Sequence, residues 1–242
     1  MSYTVITGAS SGIGYEAALA FAARGKNLIL AARRLEKLQE LKKEILDQYP
    51  EIKVNIQSVD LTDMEQVYSF YENNAGFGHF GSIGEQDVSK IGDMLHLNIE
   101  ALTILSTLFV REYEQVEGAQ LINISSRAGY TVVGNAVTYS ATKFYVSAFT
   151  EGLALELKEK GAKLQAKILA PSATESEFAK RSLDVDQFEY EGNIKKYHTS
   201  KEMADCLLEL YDHEKTVGIV DGKTFDFELK DPIFSHASPS MK

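Results

Sequence analysis

Short apolar, β-branched runs alternate along this chain with longer stretches whose apolar residues recur every three or four positions, which predicts strands and helices in turn. Tyr3 to Thr7 reads as a buried strand, and Ala18, Leu19, Phe21 and Ala22 mark the helix after it. Lys26 to Ala32 gives a second strand; Leu35, Leu38, Leu41 and Ile45 line the next helix, which Pro50 closes. Ile52 to Val59 supplies a third strand. From about Glu85 to Glu117 the pattern is helical, with Met94, Leu95, Leu97, Leu102, Leu105, Leu108 and Phe109 apolar. Gln120 to Ser125 and Lys163 to Ala170 read as strands around a helix from Ala136 to Glu159. Thr199 with Glu202 forms a capping box opening a helix through Tyr211. Val217 to Val220, then Asp221-Gly222, then Phe225, Phe227 and Leu229 in alternation, suggest a terminal hairpin. Phe178 to His198 is polar and poor in periodicity, and about 231–242 is expected to be a loose tail.

Composition narrows the class. A chain of 242 residues, 44% hydrophobic, can bury a full core as one α/β domain, and no repeat or second domain interrupts it. A net charge of −10 argues against non-specific binding to nucleic acid or anionic membranes. Cys206 is the only cysteine, so no intrachain disulfide forms; it reads as small apolar filler on a late helix. With no basic leader and no transmembrane candidate in the sequence pattern, the expectation is a soluble, cytoplasmic protein. His96, His198, His213 and His236 are too scattered for a metal site, and His79 stands alone in a glycine- and phenylalanine-rich loop.

Two stretches carry candidate chemistry. Gly8-Ala9-Ser10-Ser11-Gly12-Ile13-Gly14 sits between the first strand and first helix. There Gly8 can turn sharply, Gly12 lets backbone approach a pyrophosphate, and Gly14 lets the helix pack close to the strand. The helix N-terminus then offers free N–H groups to phosphate. The second stretch runs from Ser126 to Lys143. Tyr139 and Lys143, four apart at a helix start, share one face. A tyrosine has an unperturbed pKa of about 10, and a nearby ammonium is expected to lower it towards the working range. Ser126 returns beside Tyr139 if a loop leads from strand into helix. The competing interpretation of the pair is a helix surface with one amphipathic ring and one solvated lysine.

Together these motifs resemble the short-chain dehydrogenase/reductase family, whose nucleotide motif Thr-Gly-x-x-x-Gly-x-Gly matches Thr7 to Gly14 and whose Tyr-x-x-x-Lys signature matches Tyr139 and Lys143. The resemblance covers nearly the whole chain, with the motifs in the family's order. It implies a doubly wound parallel sheet of Rossmann type, helices on both faces, binding NAD(P) at the strands' carboxyl ends. It implies a carbonyl–alcohol oxidoreductase in which Ser126 polarises the substrate oxygen, Tyr139 is general acid/base, and Lys143 holds the ribose and lowers the tyrosine pKa. Asn98, in the middle of its helix, would anchor a proton-relay water. A catalytically silent NADP(H)-binding sensor or scaffold is the alternative.

The resemblance also places the cofactor. Ser10, Ser11, Gly12 and Ile13 belong to the phosphate turn. Ala32 stands near where NAD-binding members carry an acid, and Arg33 and Arg34 follow at once, which suits the 2′-phosphate of NADP. Solvation at a helix start is the other reading of the two arginines. Asp60 and Leu61 resemble the pair that contacts adenine, and Asn73-Asn74-Ala75-Gly76 the signature after the fourth strand. Pro171 and Ser176 match the segment that binds the nicotinamide carboxamide, with Ser172 in place of the family's glycine and Ser176 at its threonine's place. A substrate lid is expected at about 172–198. Relatives commonly pair through the helices holding Asn98 and Tyr139, which implies a homodimer or homotetramer.

One segment is too short. Only residues 61 to 72 separate Asp60 from Asn73, whereas a parallel crossover takes a dozen or more residues besides the strand it leads to. The expectation is a central strand partly or wholly missing, with an interruption at a step within residues 66 to 73.

Overall fold

The computed structural model describes residues 2–69, 87–183 and 185–236, without the side chains of residues 68, 69 and 181. Strand β1 (Tyr3–Thr7) leads through the glycine turn into α1 (Gly12–Ala23), and β2 (Asn27–Ala32) into α2 (Leu35–Gln48). Strand β3 (Val54–Ser58) leads into α3 (Met64–Ser69). These three strands form one parallel sheet in the order β1-β2-β3. A second run holds α4 (Val88–Leu95), a π-helical turn (His96–Ala101) and α5 (Leu102–Tyr113). It continues through β4 (Gln120–Ile124), α6 (Val137–Glu159), β5 (Gln165–Ala170) and the two-residue strand β6 (Thr174–Glu175). Next come α7 (Glu177–Ser182), β7 (His198–Thr199), α8 (Ser200–Asp212), β8 (Val217–Val220) and β9 (Phe227–Lys230). The second sheet runs β4-β5-β8-β9, parallel except for the final antiparallel hairpin; β6 pairs with β7 alone.

Strand alternation puts helices on both faces. Leu30 and Ala32 join a core with Ala18, Phe21, Leu38 and Leu41 of α1 and α2, while Ala31 points the other way, to Leu97, Ala101 and Leu105. In β5, Leu169 joins the first core and Ile168 and Ala170 pack on Val146 of α6. Lys167, on the Leu169 face, is 2% exposed. Its Nζ donates to the carbonyls of Leu210, Tyr211 and His213 at 3.1, 3.2 and 2.5 Å, capping the C-terminal end of α8. That is how a lysine is accommodated in a buried strand.

Among the described residues no strand joins β1 to β4, and the segment expected to hold a central strand lies largely outside them. Up to Ser69 the chain runs on as helix α3; the later steps of the 66 to 73 window lie outside the described residues. The halves are tied by α1 against α8, where Phe21 meets Tyr211 edge to face at 5.2 Å and Arg24 pairs with Asp212 at 2.8 Å.

Two expectations need correction. By length and composition the helical run Val88–Tyr113 is apolar enough to cross a membrane, contrary to the expectation of no such candidate. Within this run Met94, Leu97, Ala101 and Leu105 are buried. The C-terminal segment is also tied at its start. The backbone N–H groups of Ile233 and Phe234 donate to Glu151 Oε2 at 2.8 and 2.9 Å, and Phe234 stacks on Tyr130 at 5.2 Å. Tyr130 donates to the other oxygen of the same buried carboxylate at 2.6 Å. Residues 237–242 lie outside the described residues.

Candidate active site

The glycine turn is built as its residue types require. Gly8 and Gly12 have φ of +63° and +62°, the left-handed region that glycine enters without strain. A Cβ on Gly14 would sit 2.6 Å from the Gly8 carbonyl oxygen, so only glycine lets α1 start this close to the turn. Ser11, the N-cap, is extended and its side chain makes no capping bond, and no acid stands in the first turn. The opening N–H groups of α1 therefore face the cleft.

Ser126 and Tyr139 are brought together by a second close approach. Ser126 caps a short 3₁₀ turn, its Oγ accepting from Ala128 N at 3.1 Å. Gly129 ends that turn, and a Cβ there would lie 2.5 Å from Lys143 O, Ser125 Oγ and Ser147 Oγ. A glycine is what lets the loop sit down on α6. Ser125 Oγ donates to the Lys143 carbonyl at 3.0 Å, and Arg127 N donates to Pro171 O at 2.7 Å. The loop from Ser125 to Gly129 is thereby fixed to both α6 and the segment after β5.

Tyr139 is 6% exposed, packed among Met94, Ala128, Ala136 and Phe178. Burial raises its pKa to about 12, and a hydrogen bond with Ser126 pulls the other way. The lowered value expected from the sequence is therefore not seen: removal of the phenolate from water outweighs everything else acting on it. The Lys143 Nζ lies 5.8 Å from the Tyr139 ring and donates to the Ile124 carbonyl at 3.0 Å. It is half-buried at the cleft, and partial loss of hydration lowers its pKa to about 8.

Asn98 is 3% exposed and sits in the π-helical turn, a wider coil that recurs at functional sites. Its Nδ2 donates to Thr142 Oγ1 at 3.1 Å, and that hydroxyl donates to the Tyr139 carbonyl at 2.8 Å. Asn98 thus bears on the same turn of α6 as Tyr139.

A cleft of about 1330 Å³ joins these parts. Its walls include Gly8, Ser10, Ser11, Gly12, Ile13, Gly14, Arg33, Arg34, Asp60 and Leu61 at one end and Asn98, Ser126, Tyr139 and Lys143 at the other. Pro171 and Ser176 lie along it as well. Gly12 meets Ser176, whose Cβ would be 3.2 Å from a Cβ at that glycine. Ser172 is not left-handed, for among the described non-glycine residues only Asn135 and Phe225 have positive φ. The backbone there does not require the glycine that the family usually carries. Asn74, Ala75 and Gly76, with Asn73, lie outside the described residues. No cluster of three metal-ligating side chains occurs among the described residues.

The short chain dehydrogenase family model matches residues 2–186. The chain belongs to the short-chain dehydrogenase/reductase family. It is 31% identical over 200 residues to the human dehydrogenase/reductase SDR family member 11, covering 75% of this chain and 76% of that protein. A short-chain dehydrogenase from Sphingobium yanoikuyae, solved in complex with NADPH, superposes with a TM-score of 0.83 at 28% identity, covering 93% of this chain and 89% of that one. A bulky-bulky ketone specific alcohol dehydrogenase from Comamonas testosteroni gives 0.77 at 26% identity, covering 90% and 86%. As a member of this family the chain is an oxidoreductase of CH–OH or C=O groups that uses a nicotinamide cofactor.

Two residues of the expected lid segment, not singled out in the sequence, also line the cleft. Glu177 pairs with Arg34 at 2.8 Å, and the Phe178 ring lies 5.6 Å from that of Tyr139. Both open α7 in a stretch without periodicity, and only the fold brings them to residues far away in the chain.

Proposed function

We propose that the protein is an NADP-dependent oxidoreductase of the cytoplasm that interconverts a carbonyl and an alcohol, with Tyr139 as general acid/base. The observation that carries this reading is the convergence of Ser126, Tyr139 and Lys143 with the glycine turn on one cleft. The turn fits a dinucleotide, since its left-handed glycines and the open N-terminus of α1 form a cradle that side chains would fill. NADP(H), when bound, supplies or accepts the hydride. Ser126 donates a hydrogen bond to the substrate oxygen, and Tyr139 delivers the proton to it in the reducing direction. Lys143 holds the ribose and stabilises negative charge on the tyrosine, while Asn98 anchors a water that returns the proton. Asp60 and Leu61 flank the adenine, and Pro171 and Ser176 the carboxamide. The substrate is a small carbonyl or alcohol compound, held under a lid at about 172–198, and the active form is a homodimer or homotetramer.

NADP is favoured over NAD by the end of β2. Ala32 is buried and its side chain offers no acceptor for a 2′-OH, whereas Arg33 keeps 52% of its side chain exposed and pairs loosely with Asp60, at 3.8 Å. A charge-assisted hydrogen bond contributes about 1.5–3 kcal/mol, so NADPH should bind roughly ten- to hundred-fold more tightly than NADH. Arg33→Ala should remove most of that difference and leave NADH affinity nearly unchanged. Equal affinities in the wild type, measured by calorimetry, would return Arg33 to the solvent.

One observation favours a second reading, a catalytically silent NADP(H)-binding sensor or scaffold. Only residues 61 to 72 separate Asp60 from Asn73, too few for both a crossover and the strand it leads to beside the cofactor. The two readings divide on whether NADPH is consumed as well as bound.

A further inference from the structure

The two arginines at the end of β2 are held differently. Arg33 is half-exposed, with Asp60 at 3.8 Å. Arg34 is folded back over the glycine turn, where its Nη2 donates to Ser10 Oγ at 3.2 Å and to Ser10 O at 3.3 Å. The same guanidinium makes a two-point pair with Glu177, Nη1 to Oε1 at 3.0 Å and Nη2 to Oε2 at 2.8 Å. Glu177 is the first residue of α7, so this pair joins the phosphate turn to the lid.

We propose that Glu177 is a cofactor-selectivity residue acting through Arg34: its carboxylate competes with the 2′-phosphate for the guanidinium and holds back part of the preference for NADPH. The inference rests on NADP being the cofactor. A 2′-phosphate beside Ser10 and the two arginines would bring two further negative charges next to the Glu177 carboxylate, and both cannot take the same two-point face of Arg34. With 36% and 42% of the two side chains exposed, the pair is of the kind that adds little to stability and exchanges readily. Arg33 then carries the preference in the wild type, and Arg34 is a reserve that Glu177 keeps occupied. Phe178 follows Glu177 directly and lies on Tyr139, so release of the carboxylate also loosens the contact over the catalytic tyrosine.

The test is calorimetric titration of NADPH and NADH into the wild type, Glu177→Gln, Glu177→Asp, Arg34→Met and the Arg34→Met/Glu177→Gln double variant. Glu177→Gln should tighten NADPH binding by about 3- to 20-fold, since it removes a like charge from a partly exposed site, and leave NADH unchanged. Glu177→Asp keeps the charge and should stay near wild type. In the Arg34→Met background the gain should vanish. If Glu177 merely orients Arg34, Glu177→Gln will weaken NADPH binding or leave it unaltered while the wild type still prefers NADPH, and the proposal is overturned with the cofactor assignment intact. A wild type that binds both cofactors equally overturns the cofactor assignment and, with it, this inference.

Discussion

Tyr139→Phe is expected to lower kcat by about 10²- to 10⁴-fold while leaving NADPH affinity nearly unchanged. The substitution removes one oxygen and keeps the ring, so the contacts with Met94, Ala128, Ala136 and Phe178 survive. What is lost is the proton that must reach the substrate oxygen during reduction. Burial holds the phenol pKa at about 12, which keeps the side chain protonated throughout the neutral range and ready to act as an acid. In the oxidising direction the same group must give up its proton first, which calls for a positive charge at Lys143. Steady-state kinetics on any substrate that the wild type turns over will decide. Near-normal activity in Tyr139→Phe would mean that this helix is not the active site.

Lys143→Ala should behave differently, reducing affinity as well as turnover. The ammonium stands at the carboxyl end of β4, bonded to the Ile124 carbonyl and 5.8 Å from the Tyr139 ring, where it can serve both the ribose and the tyrosine. Loss of one charge-assisted bond predicts roughly ten- to hundred-fold weaker NADPH binding. The effect carries a pH signature. Burial lowers the lysine pKa from 10.5 to about 8, so the fraction protonated falls as pH rises through 8. A ligand that needs the ammonium must then bring a proton with it, and wild-type NADPH affinity should decline above pH 8. Linkage gives the opposite sign for folding: between about 8 and 10.5 the unfolded chain binds the extra proton, so stability rises with pH in that window. Both slopes should flatten in Lys143→Ala. Calorimetric titrations of both proteins across pH 7 to 10 provide the check; parallel slopes would remove Lys143 from the site.

Much of this site is legible in the sequence because it depends on local chemistry. Gly8 and Gly14 are demanded by turn geometry and close packing, and the structure uses both in that way. The Thr199–Glu202 capping box forms with both of its bonds. Arithmetic on the chain between Asp60 and Asn73 points to a missing central strand, and the residues that would decide it lie outside the described ones. What cannot be seen in this way depends on residues far apart in the chain. The tyrosine pKa moves up rather than down because Met94 and Phe178, from two other elements, exclude water from it. Arg34 and Glu177 meet across 143 positions of sequence, with no periodic pattern to announce the contact. Gly129 looks like an ordinary turn residue, and only the fold reveals that it lets Ser126 settle against α6.

The central claim, that this cleft performs carbonyl–alcohol chemistry with NADP(H), is tested most directly by following NADPH consumption by the wild-type protein over a panel of ketones, aldehydes and quinones. The expected result is saturable oxidation of NADPH with at least one of these classes, abolished in Tyr139→Phe. If NADPH raises the melting temperature but no carbonyl compound is reduced, and NADP⁺ oxidises none of the matching alcohols, the protein is a silent dinucleotide-binding module and the catalytic account is wrong.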